Sequence, residues 1–123
     1  MNDAPREGRL WWAAFAVTAI SACVSLGFAI EALVRLGTDD SSAMYAASRS
    51  VALVVAVAAV AVVRSRRALI VVALAMIVVQ ALDAVVGVTI GDLVKSVGPT
   101  FTAVLNLVVL VPVVRSVRAE ASA

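Results

Sequence analysis

Histidine does not occur in this sequence, and cysteine occurs once, at Cys23. Without histidine the chain lacks the commonest general base and the commonest metal ligand. Ser-His triads, histidine-ligated haem and histidine-containing zinc sites are therefore excluded. One cysteine forms no internal disulfide. No two ligands with the chemistry of a metal site stand at i,i+3 or i,i+4 inside a helix, so no metal and no cofactor are expected. Charge is scarce as well. Charged residues make up 15% of the 123, where soluble domains carry about 25%. The ten basic residues are nine arginines and Lys95. They give a pI near 9.3, but they cluster at the ends of apolar runs and not on a face with interleaved aromatics. That pattern argues against a nucleic-acid partner.

What the chain has in quantity is apolar residues, 63% of the total, with a mean hydropathy of +1.09. They come in long runs, which makes lipid the natural solvent. A bilayer core of about 30 Å needs about 20 apolar residues in a helix. Leu10 to Ile30 supplies 21 without a charge, with Trp11 and Trp12 as belt anchors at its start. Residues 1–9 read as a loose polar lead. The expectation is an all-α, four-helix transmembrane bundle with short loops, one domain over residues 1–123. Its spans lie at about 10–33, 44–63, 68–90 and 99–114. Gly37 to Ser42 is a turn cluster, Arg64-Ser65-Arg66-Arg67 a tight basic turn, and Lys95-Ser96-Val97-Gly98 a loop. Pro99 then opens the last span at its first turn, Pro112 kinks its end, and residues 115–123 form a polar tail.

Arg6, Arg9, Arg64, Arg66, Arg67, Arg115 and Arg118 fall on one side of the bundle, against Arg35 and Lys95 on the other. The positive-inside rule puts the first group, and both termini, in the cytoplasm. A bias toward Arg, Ala and Val over Lys and Ile suggests a GC-rich bacterial genome, hence a bacterial inner membrane. A competing reading takes Ile20-Ser21-Ala22-Cys23 as a lipoprotein cleavage box. The apolar run continues past Cys23 to Ile30 with no secreted polar sequence behind it, which argues against cleavage.

One polar constellation stands inside the spans. Arg49 lies about 22 Å above the basic turn on the second span and Asp83 about 24 Å above it on the third. The two spans are joined by that turn and so are antiparallel neighbours. An unpaired charge in the bilayer costs about 2.5–3.5 kcal/mol, and an Arg–carboxylate pair satisfies both groups at once. Gln80 lies one turn below Asp83 and Tyr45 one turn above Arg49, while Asn106 and Thr102 on the last span reach comparable depths, as do Ser25 and Glu31 on the first. Tyr45, Arg49, Gln80, Asp83, Asn106 and Glu31 are the candidate ligand-binding residues, around a polar pocket in the outer half above a dry, Ala-rich floor. Three alternatives remain open for the charges: Arg49 snorkels to the outer headgroups, Arg49 and Asp83 form a structural clamp, or they line a ligand site. Glu31 has a further option in pairing with Arg35 at i,i+4. Gly87 and Gly91 make a small-xxx-small step, with Gly91 equally suited to stop the helix.

Tyr45, Ser48 and Arg49 opening the second span, the basic turn at Arg64–Arg67, and Asp83 in the third resemble the small bacterial four-span proteins of the DoxX-like type. That resemblance implies a fold. Members often carry a histidine in the last helix, where this chain has Asn106 as the nearest polar group.

Three functions compete. The first is a binding or scaffold protein whose partners are membrane lipid and a hydrophobic small molecule. The second is a membrane isomerase or cyclase with Asp83 as catalytic acid or base. The third is a small multidrug-type transporter. The first span holds no mid-membrane carboxylate, and the charge bias is strong, both of which argue against transport.

Overall fold

The computed structural model describes residues 4–123 and contains four helices and no strand among them: α1 (Ala4–Leu36), α2 (Ser41–Val63), α3 (Arg66–Thr89) and α4 (Leu93–Ser122). Each is long and apolar enough to cross a membrane. All four run longer than the apolar stretches alone suggest, and α2, α3 and α4 begin at polar caps beyond the oil.

The caps show why. Asp40 caps α2, its carboxylate accepting the Ala43 N–H at 3.0 Å. Ser65 caps α3 through the Ala68 N–H. Asp92 caps α4 by accepting the N–H groups of Val94 and Lys95 at 3.1 and 3.2 Å. This last cap corrects the expected loop at Lys95–Gly98. Those residues are helical, α4 has 30 residues, and Pro99 sits inside it and not in its first turn. The expected polar tail is also helical as far as Ser122, as befits its Arg, Ala and Glu content. The loose lead is corrected in the same way from Ala4 onward; Met1, Asn2 and Asp3 lie outside the described residues.

At the end of α3, Gly91 adopts φ +71°. Its N–H reaches Val88 O at 3.1 Å, and the Asp92 N–H reaches Gly87 O at 3.0 Å, the two bonds of a Schellman stop. Gly91 is thus a helix terminator. Arg64 closes α2 in the left-handed conformation, φ 50°, and donates its N–H to Val60 O at 2.8 Å. The α2–α3 turn therefore needs only Arg64 and Ser65.

The bundle is inside out by soluble standards. Thr18, Ser50 and Asn106 are fully buried, while Val62, Val34 and Leu93 are 78–85% exposed. Lipid tolerates such a surface and water does not. Four such helices are what a multi-pass membrane protein carries.

At the basic end, where the α2–α3 turn lies, Trp11, Ala14, Val60, Leu69 and Val113 form a packed cluster. Trp11 stacks on Phe15 with ring centroids 5.1 Å apart. Ala22, Val57 and Met76 continue the packing toward the middle. Arg66 locks this end by bridging Glu7 of α1 at 2.7 Å and Glu120 of α4 at 2.5 Å. Toward the other end α3 packs closely on α4. A Cβ placed on Gly87 would lie 2.5 Å from the Lys95 carbonyl carbon and oxygen, so only glycine fits there. Pro99 has no N–H to give that Lys95 carbonyl, which leaves the oxygen free to face the Gly87 backbone.

Candidate functional site

Above the packed half the four helices separate around a cavity of about 390 Å³. Val24, Ser25, Phe28, Ala29 and Ala32 of α1 line it, with Ala46, Arg49 and Ser50 of α2. From α3 come Gln80, Asp83, Val86 and Gly87, and from α4 Lys95, Gly98, Pro99, Phe101 and Thr102. Small residues on every helix leave the room, and Phe28 and Phe101 supply apolar walls. α2 and α4 stand diagonally across the bundle, with no Cα atoms of the two within 8 Å of one another. The volume falls within the range of about 300–1,000 Å³ typical of small-molecule sites.

Arg49 and Asp83 meet at the rim. One guanidinium nitrogen, Nη2, lies 2.9 Å from Oδ1 and 3.2 Å from Oδ2 of Asp83. Lys95, the other cation in the wall, lies 3.5 Å from the Asp92 carboxylate. Both cations therefore have a carboxylate at hand, and the wall carries little net charge.

Gln80 is different. It is 3% exposed and lines the cavity, yet its only hydrogen bond runs from Nε2 to the Met76 thioether at 3.9 Å. A thioether is a weak acceptor. The amide carbonyl has no partner among the described residues. That oxygen is accessible from the cavity; the one fully buried side-chain N or O without a partner among the described residues is Trp11 Nε1.

Beneath the cavity lies a hydrogen-bonded seam. Ser25 and Ser50 hydroxyls are 3.1 Å apart, and Ser50 also reaches Ser25 O. One level deeper, Asn106 donates to Ser21 Oγ at 2.7 Å and to Thr102 O at 2.9 Å, and accepts from Thr18 Oγ1 at 3.1 Å. Interhelical bonds of this kind hold membrane helices together where no hydrophobic force does.

Of the six residues singled out by sequence, Arg49, Gln80 and Asp83 come together on the cavity wall. The other three do not. Asn106 is committed to the seam one turn below Thr102. Tyr45 is 78% exposed on the outside of α2. Glu31 pairs with Arg35 at 3.0 Å on the surface. Ser50, Phe28, Phe101 and the Thr18–Ser21 part of the seam carry roles that sequence reasoning did not assign. The spacing of Thr18, Ser21 and Ser25, at i, i+3 and i+7, is the one signal that marks a polar face on α1.

Outside the spans, the Asp40 carboxyl is held below its usual range by the Ser42 hydroxyl and then by the Ala43 N–H. Asp92 is held low chiefly by the Lys95 N–H. Both belong to helix caps, apart from the cavity. Comparison with protein-family models, with curated proteins and with solved structures returned no match for this chain.

Proposed function

We propose that the protein is a membrane-embedded binding protein for a neutral, amphipathic, lipid-like molecule, held in the cavity beneath the Arg49–Asp83 bridge. The observation that carries this reading is Gln80, whose amide carbonyl has no protein partner among the described residues and opens onto a largely apolar cavity. An occupant bearing a hydroxyl, carbonyl or amide would satisfy that group, with its apolar part between Phe28 and Phe101. The pairing of both wall cations with carboxylates favours a neutral occupant over an ion. Binding is preferred to isomerase or cyclase chemistry because Asp83 is engaged by Arg49 and the chain offers no histidine to relay a proton.

The protein sits, on this reading, in a bacterial inner membrane with both termini cytoplasmic and the cavity in the outer half. Supporting this, seven arginines flank the spans at the basic end, against Arg35 and Lys95 at the other, and it is the count of Lys and Arg beside the spans that favours the cytoplasmic side.

Mass spectrometry of the intact protein, released from a mild detergent, tests the binding reading. The native chain is expected to carry one additional organic mass, and a Gln80→Met variant, which keeps the shape without the amide, is expected to lose it. A bare native chain, or an adduct indifferent to Gln80, refutes it. For orientation, a Cys23→Ser background with Asp39→Cys should label with an impermeant maleimide on intact cells, and with Arg118→Cys only after lysis.

A further inference from the structure

A second concavity, of about 380 Å³, lies at the basic end between the start of α1 and the end of α4. Arg6 and Arg115 stand at it, above an apolar strip formed by Leu10, Val111 and Pro112. Glu7 also lines it, but its carboxylate is bound by Arg66 at 2.7 Å, and Arg66 binds Glu120 as well. The carboxylates that would neutralise the groove are thus drawn off to one arginine. Arg6 and Arg115 make no ion pair among the described residues and remain exposed.

We propose that this groove binds the phosphate headgroup of one acidic phospholipid, with Arg6 and Arg115 on the phosphate and an acyl chain along Leu10 and Val111. Guanidinium groups match phosphate oxygens with paired N–H donors. A groove with cations at its mouth and an apolar strip below has the polarity of an anionic lipid, head outward and chain inward. A free phosphate ion would make no use of the strip. The site is separate from the cavity beneath Arg49 and stands whether or not that cavity binds anything.

The whole chain in detergent, titrated with phosphatidylglycerol or phosphatidylcholine and read by native mass spectrometry, tests the proposal. Two surface arginines together favour an anionic headgroup by roughly thirty-fold. The first phosphatidylglycerol should therefore bind about that much more tightly than phosphatidylcholine. An Arg6→Gln, Arg115→Gln double variant should lose that preference. An Arg9→Gln, Arg118→Gln double variant, which removes the same charge from the same end outside the groove, should retain it. Equal loss in both variants would reduce the effect to diffuse attraction and overturn the site. So would an unchanged preference in the first variant, or displacement of the lipid by millimolar inorganic phosphate.

Discussion

Replacing Gly87 with alanine adds one methyl group where α3 lies against the α4 backbone. The new carbon would sit 2.5 Å from the Lys95 carbonyl carbon and oxygen and 2.6 Å from the Ser96 nitrogen. Ordinary carbon contacts lie at about 3.5–4.0 Å, so α3 and α4 must part by roughly 1 Å. The obstacle is backbone, and no rotamer change relieves it. Overpacking of this kind costs about 1–3 kcal/mol, against a gain of roughly 0.5–1 kcal/mol from replacing a helical glycine. The net expectation is a loss of about 1–2 kcal/mol. Gly27 is the internal control: an added Cβ there meets nothing within 4 Å, so Gly27→Ala should stabilise by a few tenths to about 1 kcal/mol. Equilibrium unfolding in mixed micelles, driven by dodecyl sulfate, reads both values. A Gly87→Ala protein as stable as the native chain would mean that α3 and α4 do not cross at this point.

Three other perturbations follow from the geometry. Either Arg49→Leu or Asp83→Leu should destabilise by about 1–3 kcal/mol, with the double variant losing less than the sum; additive losses in a double-mutant cycle would show that the bridge contributes nothing. Asn106→Leu should cost about 1–2 kcal/mol, because interhelical bonds average about 0.6 kcal/mol each and Thr18 and Ser21 keep their own backbone acceptors; an unchanged unfolding midpoint would remove the seam from the account. Asp40 and Asp92 have depressed folded pKa values, so their stabilisation is complete at neutral pH, above the ordinary 3.8, and is lost as pH falls through the lower folded values. An Asp40→Asn, Asp92→Asn protein should accordingly show a flatter acid limb in thermal unfolding than the native chain, and an identical limb would contradict the capping role.

The spans were legible in the sequence because apolar runs such as Leu10–Ile30 have no alternative to lipid. Their ends were not, because capping is local and polar. Asp92 restarts the helix immediately after the Gly91 stop, and Lys95 to Gly98, which reads as a loop by composition, becomes the first turns of α4. The common depth of Arg49 and Asp83 could be counted from the α2–α3 turn, since rise along a helix is fixed at 1.5 Å per residue. Which side chains converge around the axis could not be counted so simply. Tyr45, one turn from Arg49, is rotated about 40° from it and faces outward, where the longer Arg49 still reaches the rim. Asn106 had the right depth and a nearer set of partners, the Thr18 and Ser21 hydroxyls. Glu31 had Arg35 beside it. Gln80 alone kept both its predicted depth and a polar atom, its amide carbonyl, turned to the cavity without a protein partner among the described residues.

An electron-density map from crystals grown in a lipid phase tests the central claim most directly. Continuous non-protein density is expected in the space bounded by Arg49, Asp83, Phe28 and Phe101, with a polar atom at hydrogen-bond distance from the Gln80 amide. Phe28 and Phe101 collapsed into that space, with Gln80 turned to a protein partner, would contradict it.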